Sequence, residues 1–195
     1  MVSFLIAHGA VLNLAPQQGN SDLFWAIRSG KIEKIALLLN LGADLGYVDE
    51  HGYDALINAM FTLAEGAERK ALVQYLIKQG AKLNGKSHYG ESALSISSRK
   101  GWFDIIQVLL DAGSDPERLR WTDLMGAIAL GSLQDMEALL APGADLTAVD
   151  RWNRSPWLLS LQVGDLAKAQ RLLAAGADPH AIGWCSKPPM MYALE

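Results

Sequence analysis

Apolar residues recur along this chain in pairs, and the second member of each pair stands three positions ahead of a glycine. Leu5-Ile6 precedes Gly9, Leu38-Leu39 precedes Gly42, Leu76-Ile77 precedes Gly80, Leu109-Leu110 precedes Gly113, Leu139-Leu140 precedes Gly143 and Leu172-Leu173 precedes Gly176. Each glycine is followed by a small residue (Ala10, Ala43, Ala81, Ser114, Ala144, Ala177), and the intervals between glycines are 33, 38, 33, 30 and 33 residues. Periods of this length mark stacked supersecondary units that bury apolar surface against their neighbours. The pattern predicts a short helix in each unit, such as Ile32 to Leu41 or Asp104 to Ala112, ended by a left-handed glycine.

A second anchor lies 12 residues after five of these glycines, in the hexads Ser21–Ala26, Asp54–Ala59, Ser92–Ser97, Ser155–Ser160 and Pro188–Ala193. The hexad Thr122–Ala127 follows its glycine by only 9, which shortens that connection by three residues. The first residue is Ser, Asp or Thr in five of the six, and each of these side chains can cap a helix N-terminus. Pro156 and Pro189 at the second position suit a first helical turn, and Asp22 and Asp123 suit the positive end of the helix dipole. The third position is apolar throughout and the sixth is small, so each unit offers one large and one small residue on a shared helix face. From Asp54 to Gly80 the spacing is 26 rather than 21, which predicts a five-residue insertion near Met60 to Glu68. That insertion, with Glu65, Glu68, Arg69 and Lys70 in or beside it, is a secondary candidate for a binding edge.

A period near 33, a degenerate Thr-Pro-Leu-His-x-Ala hexad and a Leu-Leu-x-x-Gly-Ala helix end resemble the ankyrin repeat family. The unit Gly101 to Pro116 carries the resemblance best, and nearly the whole chain shares it. The family's His is replaced in every hexad, by Phe24, Ile57, Ser95, Met125, Leu158 and Met191. The resemblance implies an all-α solenoid of helix-turn-helix units with projecting β-turn fingers. The expected arrangement is a half-repeat at 1–14, five repeats at about 15–46, 47–84, 85–116, 117–147 and 148–180, and a half-repeat at 181–195. Phe4, Leu5, Met190 and Met191 are expected to lack a covering neighbour, so flanking repeats of a longer protein, or self-association, are expected at the ends. Leu194-Glu195 also reads as a candidate cloning remnant.

Composition narrows the function classes. Half of the 195 residues are apolar and 19% are charged, which excludes a disordered chain. A formal net charge of −4 argues against non-specific nucleic-acid binding. The one cysteine, Cys185, builds neither a disulfide framework nor a Cys-based metal site. No Lys or Arg precedes Arg28, so the apolar Met1–Ala7 stretch lacks the basic start of a secretion signal, and no run approaches the length of a membrane span. The expected location is the cytoplasm. No phosphate loop, nucleophile elbow or paired His motif occurs. No cofactor, bound metal or catalytic residue is expected, and the chain does not read as an enzyme. A metal or enzymatic site at His51, or at His180 with Cys185, is the alternative from another class.

The resemblance implies that partners bind the finger tips and the concave helix face. Carried onto this chain, the tip positions hold His51, His88, Tyr89, Arg118, Arg151, Trp152 and Trp184, with Leu119 less firmly placed in the shortened finger. Positions just before the hexads hold Tyr53, Trp121 and Arg154. Trp, Tyr and Arg dominate interface hot spots, so these ten residues other than Leu119 are the candidate partner-binding set. Trp25 and Trp157 are expected in the core. The expected function is non-catalytic binding of another protein, with no nucleic-acid or membrane partner, within a larger scaffold or effector. The runner-up is a small bacterial immunity protein that neutralises a toxin.

Overall fold

A computed structural model describes residues 2–12, 21–141 and 143–195. Gln17 and Gln18, the expected tip of the first finger, and Asn20, expected just before its hexad, lie outside the described residues. The described residues are all-helical, without a strand, and form two compact units, one of residues 1–96 with 111–114 and the other of 97–110 with 115–195.

The first unit contains α1 (Val2–Ala7), α2 (Asp22–Ser29), α3 (Ile32–Asn40), α4 (Ala55–Ala59), α5 (Gly66–Lys78) and the start of α6 (Ala93–Arg99). The hexad residues cap as their chemistry predicts. Ser21 Oγ accepts from the Phe24 amide at 3.2 Å, and Asp54 Oδ1 from the Ile57 amide at 2.9 Å. Ser92 and Ser95 satisfy each other's amides through their hydroxyls, at 3.2 and 2.8 Å. At the other end of each pair the repeat glycine takes a positive φ, +90° at Gly80, so that the Ala81 amide reaches back to the Leu76 carbonyl at 3.0 Å. α2 packs on α3 and α4, and α4 on α5, around fully buried Ile35, Leu56, Ile57, Leu72 and Leu76.

The insertion folds back onto the α2–α3 turn. The Leu63 amide donates to the Arg28 carbonyl at 3.0 Å, Arg28 Nη1 donates to the Phe61 carbonyl at 3.3 Å, and the Arg28 guanidinium lies 5.1 Å from the Phe61 and Phe24 ring centres. Ala64 is buried against Gly30. Leu63 remains exposed at the tip of this loop.

The second unit holds the last turn of α6, α7 (Phe103–Asp111) except its final residue, α8 (Asp123–Leu130), α9 (Leu133–Leu139), α10 (Pro156–Val163), α11 (Leu166–Ala174) and α12 (Pro189–Ala193). α10 packs on α8, α11 and α12, while α8 also packs on α9. Met125, Ile128, Met136, Leu158, Leu159 and Leu172 are fully buried between them. Lys168 on α11 is buried and donates to the Ile128 and Gly131 carbonyls at 2.8 and 2.7 Å, supplying donors to the end of α8. In the shortened connection a 3₁₀ turn, Pro116–Arg118, replaces the usual finger.

Two core expectations divide. Trp157 is buried, but Trp25 is 63% exposed. Its ring lines an open groove with Leu5, Val11 and Leu38 rather than a filled core. Phe4, Leu5, Met190 and Met191 are exposed as expected.

Candidate functional site

The fingers are built by one repeated device. In the first unit the Asp49 amide donates to the Tyr53 carbonyl at 3.1 Å, and Asp49 Oδ1 accepts from the amides of His51 and Tyr53 at 2.9 and 2.8 Å. Ser87 does the same work for its finger, its amide reaching the Glu91 carbonyl at 2.8 Å and its hydroxyl accepting from the Glu91 amide at 3.2 Å. The His88 amide donates to the His51 carbonyl at 2.9 Å, which joins the two fingers through backbone.

That framework gathers three predicted residues. Tyr89 places its hydroxyl 3.5 Å from His51 Nδ1, and the His51, Tyr53 and Tyr89 ring centres lie 6.0 to 6.4 Å apart. Tyr89 is 65% exposed, and His51 and His88 are exposed beside it. Tyr53 is half-buried because it stacks on Phe61 of the insertion, 5.5 Å between centres and 25° between planes. Glu50 Oε1 stands 3.7 Å from His51 Nε2. Beneath the fingers Asp54 is buried, and loss of hydration pushes its carboxyl above the ordinary Asp value, against lowering by the Ile57 and Leu56 amides and by Lys82. Among the described residues no group of three His, Cys, Asp or Glu is placed to hold a metal ion.

In the second unit the same turn is made by Asp150, whose Oδ1 accepts from the Trp152 and Arg154 amides at 2.8 and 2.9 Å. The Arg151 amide donates to the Leu119 carbonyl at 3.1 Å, and the Trp184 amide to the Trp152 carbonyl at 3.2 Å. Trp152 and Trp184 meet edge to face with centres 5.4 Å apart, and the Arg99 guanidinium lies 4.9 Å from the Trp152 ring centre. Trp184 is 48% exposed. Arg118 is half-buried, with Nε 3.4 Å from Asp115 Oδ2, and Trp121 is half-buried with its indole N–H on Asp150 Oδ2 at 3.3 Å. Arg151 is half-buried, its guanidinium 5.8 Å from the Trp152 ring centre.

Two of the ten candidates lose the exposure that was expected of them. Arg154 is 1% exposed, because its guanidinium turns inward to Asp150, to the Ser98 carbonyl at 2.8 Å, to Ser98 Oγ at 2.5 Å and to Gln162 Oε1. Trp152 is buried under Trp184, Arg99 and Arg151. Leu119 is also buried, with its carbonyl accepting from the Arg151 amide. Asp49, Ser87 and Asp150 hold the fingers in shape; the acidic residues beside His51, Asp49 among them, read from sequence as turn and cap residues, while Ser87 and Asp150 were missed. Their signal was present, because each stands five positions before a hexad's first residue.

An all-helical stack of glycine-closed helix pairs with backbone-linked fingers defines a repeat solenoid, and comparison with known proteins supplies its family. Residues 60–150 match the model for ankyrin repeats in three copies. The chain is 31% identical over 108 residues to ankyrin repeat domain-containing protein 63 of Mus musculus, covering 54% of this chain and 27% of that protein. It is 33% identical over 107 residues to a B-cell lymphoma 3 protein homolog of the same species, covering 53% and 22%. It is also 29% identical over 131 residues to an L-asparaginase of Dirofilaria immitis, covering 66% and 21%. Residues 60–150 therefore carry ankyrin repeats, which are generally non-enzymatic protein–protein interaction modules. The match spans about a quarter of the length of the first of these relatives. Among the described residues no helix is long and apolar enough to cross a membrane.

Proposed function

We propose that this chain is a non-catalytic recognition module that binds a partner protein through its finger residues, as one part of a larger scaffold or effector protein. The observation that carries this reading is the exposure of large aromatic side chains on backbone-braced turns, Tyr89 beside His51 and His88 in one unit and Trp184 in the other. An exposed aromatic ring on a rigid turn offers contact area at small entropic cost. Tyr53, Arg118, Trp121 and Arg151 contribute their exposed edges, while Trp152 and Arg154 hold the turn beneath Trp184. The greater length of the matched relatives supports the scaffold setting.

The test is affinity capture from a lysate with the parent chain, a Tyr89→Ala variant and a Trp184→Ala variant, with circular dichroism confirming that all three fold. A protein held by the parent and lost from a folded variant supports the reading and locates the interface. Retention of every captured protein by both variants overturns the finger assignment.

A further inference from the structure

We infer that the paired fingers of the first unit form a platform for an arginine side chain in a basic segment of the partner protein, with the Tyr89 and His51 rings as its surface and Glu50 as its counter-charge. This rests on the protein-recognition reading above and names the chemistry that the first unit selects.

The platform is assembled from two turns that glycine allows to touch. At Gly52 φ is +80° and a Cβ would meet the His88 amide nitrogen at 3.0 Å, so glycine suits both the conformation and the close approach. That approach puts the His88 amide on the His51 carbonyl. It also sets His51, from one turn, beside Tyr89, from the next, with ring centres 6.1 Å apart and planes tilted by 33°. Tyr53 completes the group at 6.0 Å from His51 and 6.4 Å from Tyr89, and is itself backed by Phe61. Rings fixed in this way by backbone lose little further freedom when a ligand arrives.

Exposure decides what the platform can take. Tyr89 is 65% exposed, which leaves ring surface open to a ligand. The face of an aromatic ring carries the negative part of its quadrupole and attracts a cation within about 6 Å of its centre. The same aromatic row already receives a guanidinium at its inner end. Arg28 lies 5.1 Å from the Phe61 ring centre, and Phe61 stacks on Tyr53.

Charge selects the same sign. The stretches 49–54 and 86–91 hold four carboxylates, Asp49, Glu50, Asp54 and Glu91, against one ammonium, Lys86. Lys82 offsets Asp54, and Asp49 and Asp54 are engaged in the turn and the helix cap. Glu50 stands at the tip with its side chain 79% exposed. Its Oε1 is 3.7 Å from His51 Nε2, longer than a hydrogen bond, so its oxygens can still accept from a ligand. The net charge of −4 draws a basic segment toward the chain over longer range.

Among cations, arginine meets both features at once. A guanidinium is planar, lies flat on an aromatic face, and still donates through its edge to a carboxylate. An ammonium is compact and more strongly hydrated, so it gives up more water for the same contact.

Fluorescence anisotropy of a rhodamine-labelled peptide of Arg, Gly and Ser, titrated with the whole chain at low salt, tests the assignment. Control peptides carry Lys or Gln in place of every Arg, and circular dichroism confirms that each variant folds. The Arg peptide is expected to bind and to weaken as salt rises. It is expected to bind about two- to fivefold more tightly than the Lys peptide, and the Gln peptide is expected not to bind. Tyr89→Leu is expected to weaken the Arg peptide by about three- to tenfold, and Tyr89→Phe, which keeps the ring face, to recover most of that loss. Glu50→Gln is expected to weaken it by about two- to fivefold, whereas Glu33→Gln, which removes the same charge from α3, leaves binding unchanged. No binding of the Arg peptide, equal binding of the Lys or Gln peptide, or indifference to Tyr89→Leu overturns the inference. So does equal weakening by Glu33→Gln, or tighter binding of a peptide with Leu in place of Arg. If the peptide results fail while Tyr89→Ala still loses the captured partner, the inference falls and the recognition reading stands. If the Arg peptide binds as described while no captured protein depends on the fingers, the reverse holds.

Discussion

Arg154 and Asp150 form an ion pair four residues apart whose side chains are 1% and 0% exposed. Arg154 Nε donates to Asp150 Oδ2 at 2.8 Å, while Oδ1 of the same carboxylate holds the amides of the finger above it. One carboxylate therefore both shapes the turn and neutralises the arginine that reaches to Ser98 and Gln162. Removing one partner of a buried pair leaves an uncompensated charge, which costs about 3–5 kcal/mol.

Arg154→Ala is accordingly expected to lower the unfolding free energy by that amount in urea denaturation. The Asp150→Asn/Arg154→Met double change is expected to cost less than the sum of the two single changes. A loss under ~1 kcal/mol for Arg154→Ala means that the guanidinium is not what joins the Asp150 turn to α6.

A second relationship, within the first unit, is steric. The backbone at Gly85 passes so close to Asp54 that a Cβ there would fall inside the Asp54 carboxylate. Asp54 caps α4, so Gly85→Ala must displace the cap or the turn, at a cost of roughly 1–3 kcal/mol. Asp54→Ser, which shortens the side chain and keeps a capping oxygen, is expected to relieve part of the loss in the double variant. Thermal melts of the four proteins measure this, and additive losses sink the explanation.

Asp54 also sets a pH dependence. Burial holds its folded-state pKa above the ordinary Asp value of 3.8. The folded chain therefore takes up this proton before the unfolded chain does as pH falls. Between the raised value and 3.8 the group's contribution to stability grows with acidity, and outside that window it is flat. Asp54→Asn keeps the cap and removes the titration. The stability of the parent minus that of Asp54→Asn is expected to rise as pH falls through that window. Asp135 and Asp145 work in the opposite sense, since hydrogen bonds from Ser132 and Thr147 hold their carboxyls below 3.8 and their contribution is lost on acidification. A difference between parent and Asp54→Asn that stays constant with pH contradicts the account.

The helices, their caps and their glycine ends were legible because each rests on local chemistry that recurs at a fixed period. Ser21, Asp54, Thr122 and Ser155 all cap the helices that their spacing predicted. The tips were less legible. Arg154 occupies the same register as Tyr53 and Trp121, and register alone assigns all three to the surface. What buries Arg154 is an acceptor set from Ser98, Asp150 and Gln162, up to 56 residues away, which no local pattern displays. Trp25 failed for the converse reason. Its helix face is apolar in sequence, but only the neighbours Leu5, Val11 and Leu38 decide whether that face is covered.

Lys168 gives a test of helix termination. Its ammonium is buried against carbonyls at the end of α8, and Asp165 Oδ2 is 4.0 Å away. Lys168→Met preserves the apolar stem and removes the donors, leaving buried carbonyls unpaired at about 1–3 kcal/mol. The expected result is a lower melting temperature, together with faster amide exchange in the last turn of α8. Unchanged exchange there indicates that water replaces the lysine without cost.

Ser186 offers a change in the stabilising direction. The finger turns at 49–53 and 87–91 place glycine at the residue that needs positive φ, Gly52 at +80° and Gly90 at +76°. The corresponding residue in the finger at 183–187 is Ser186 at +58°. The left-handed conformation costs a residue with a Cβ roughly 1–2 kcal/mol, and glycine returns part of that through its greater freedom when unfolded. Ser186 is exposed and no hydrogen bond through its hydroxyl offsets the difference among the described contacts. Ser186→Gly is expected to raise stability by about 0.5–1 kcal/mol while relaxing the turn that presents Trp184. Urea denaturation of the two proteins measures this, and a loss of stability in Ser186→Gly contradicts the account.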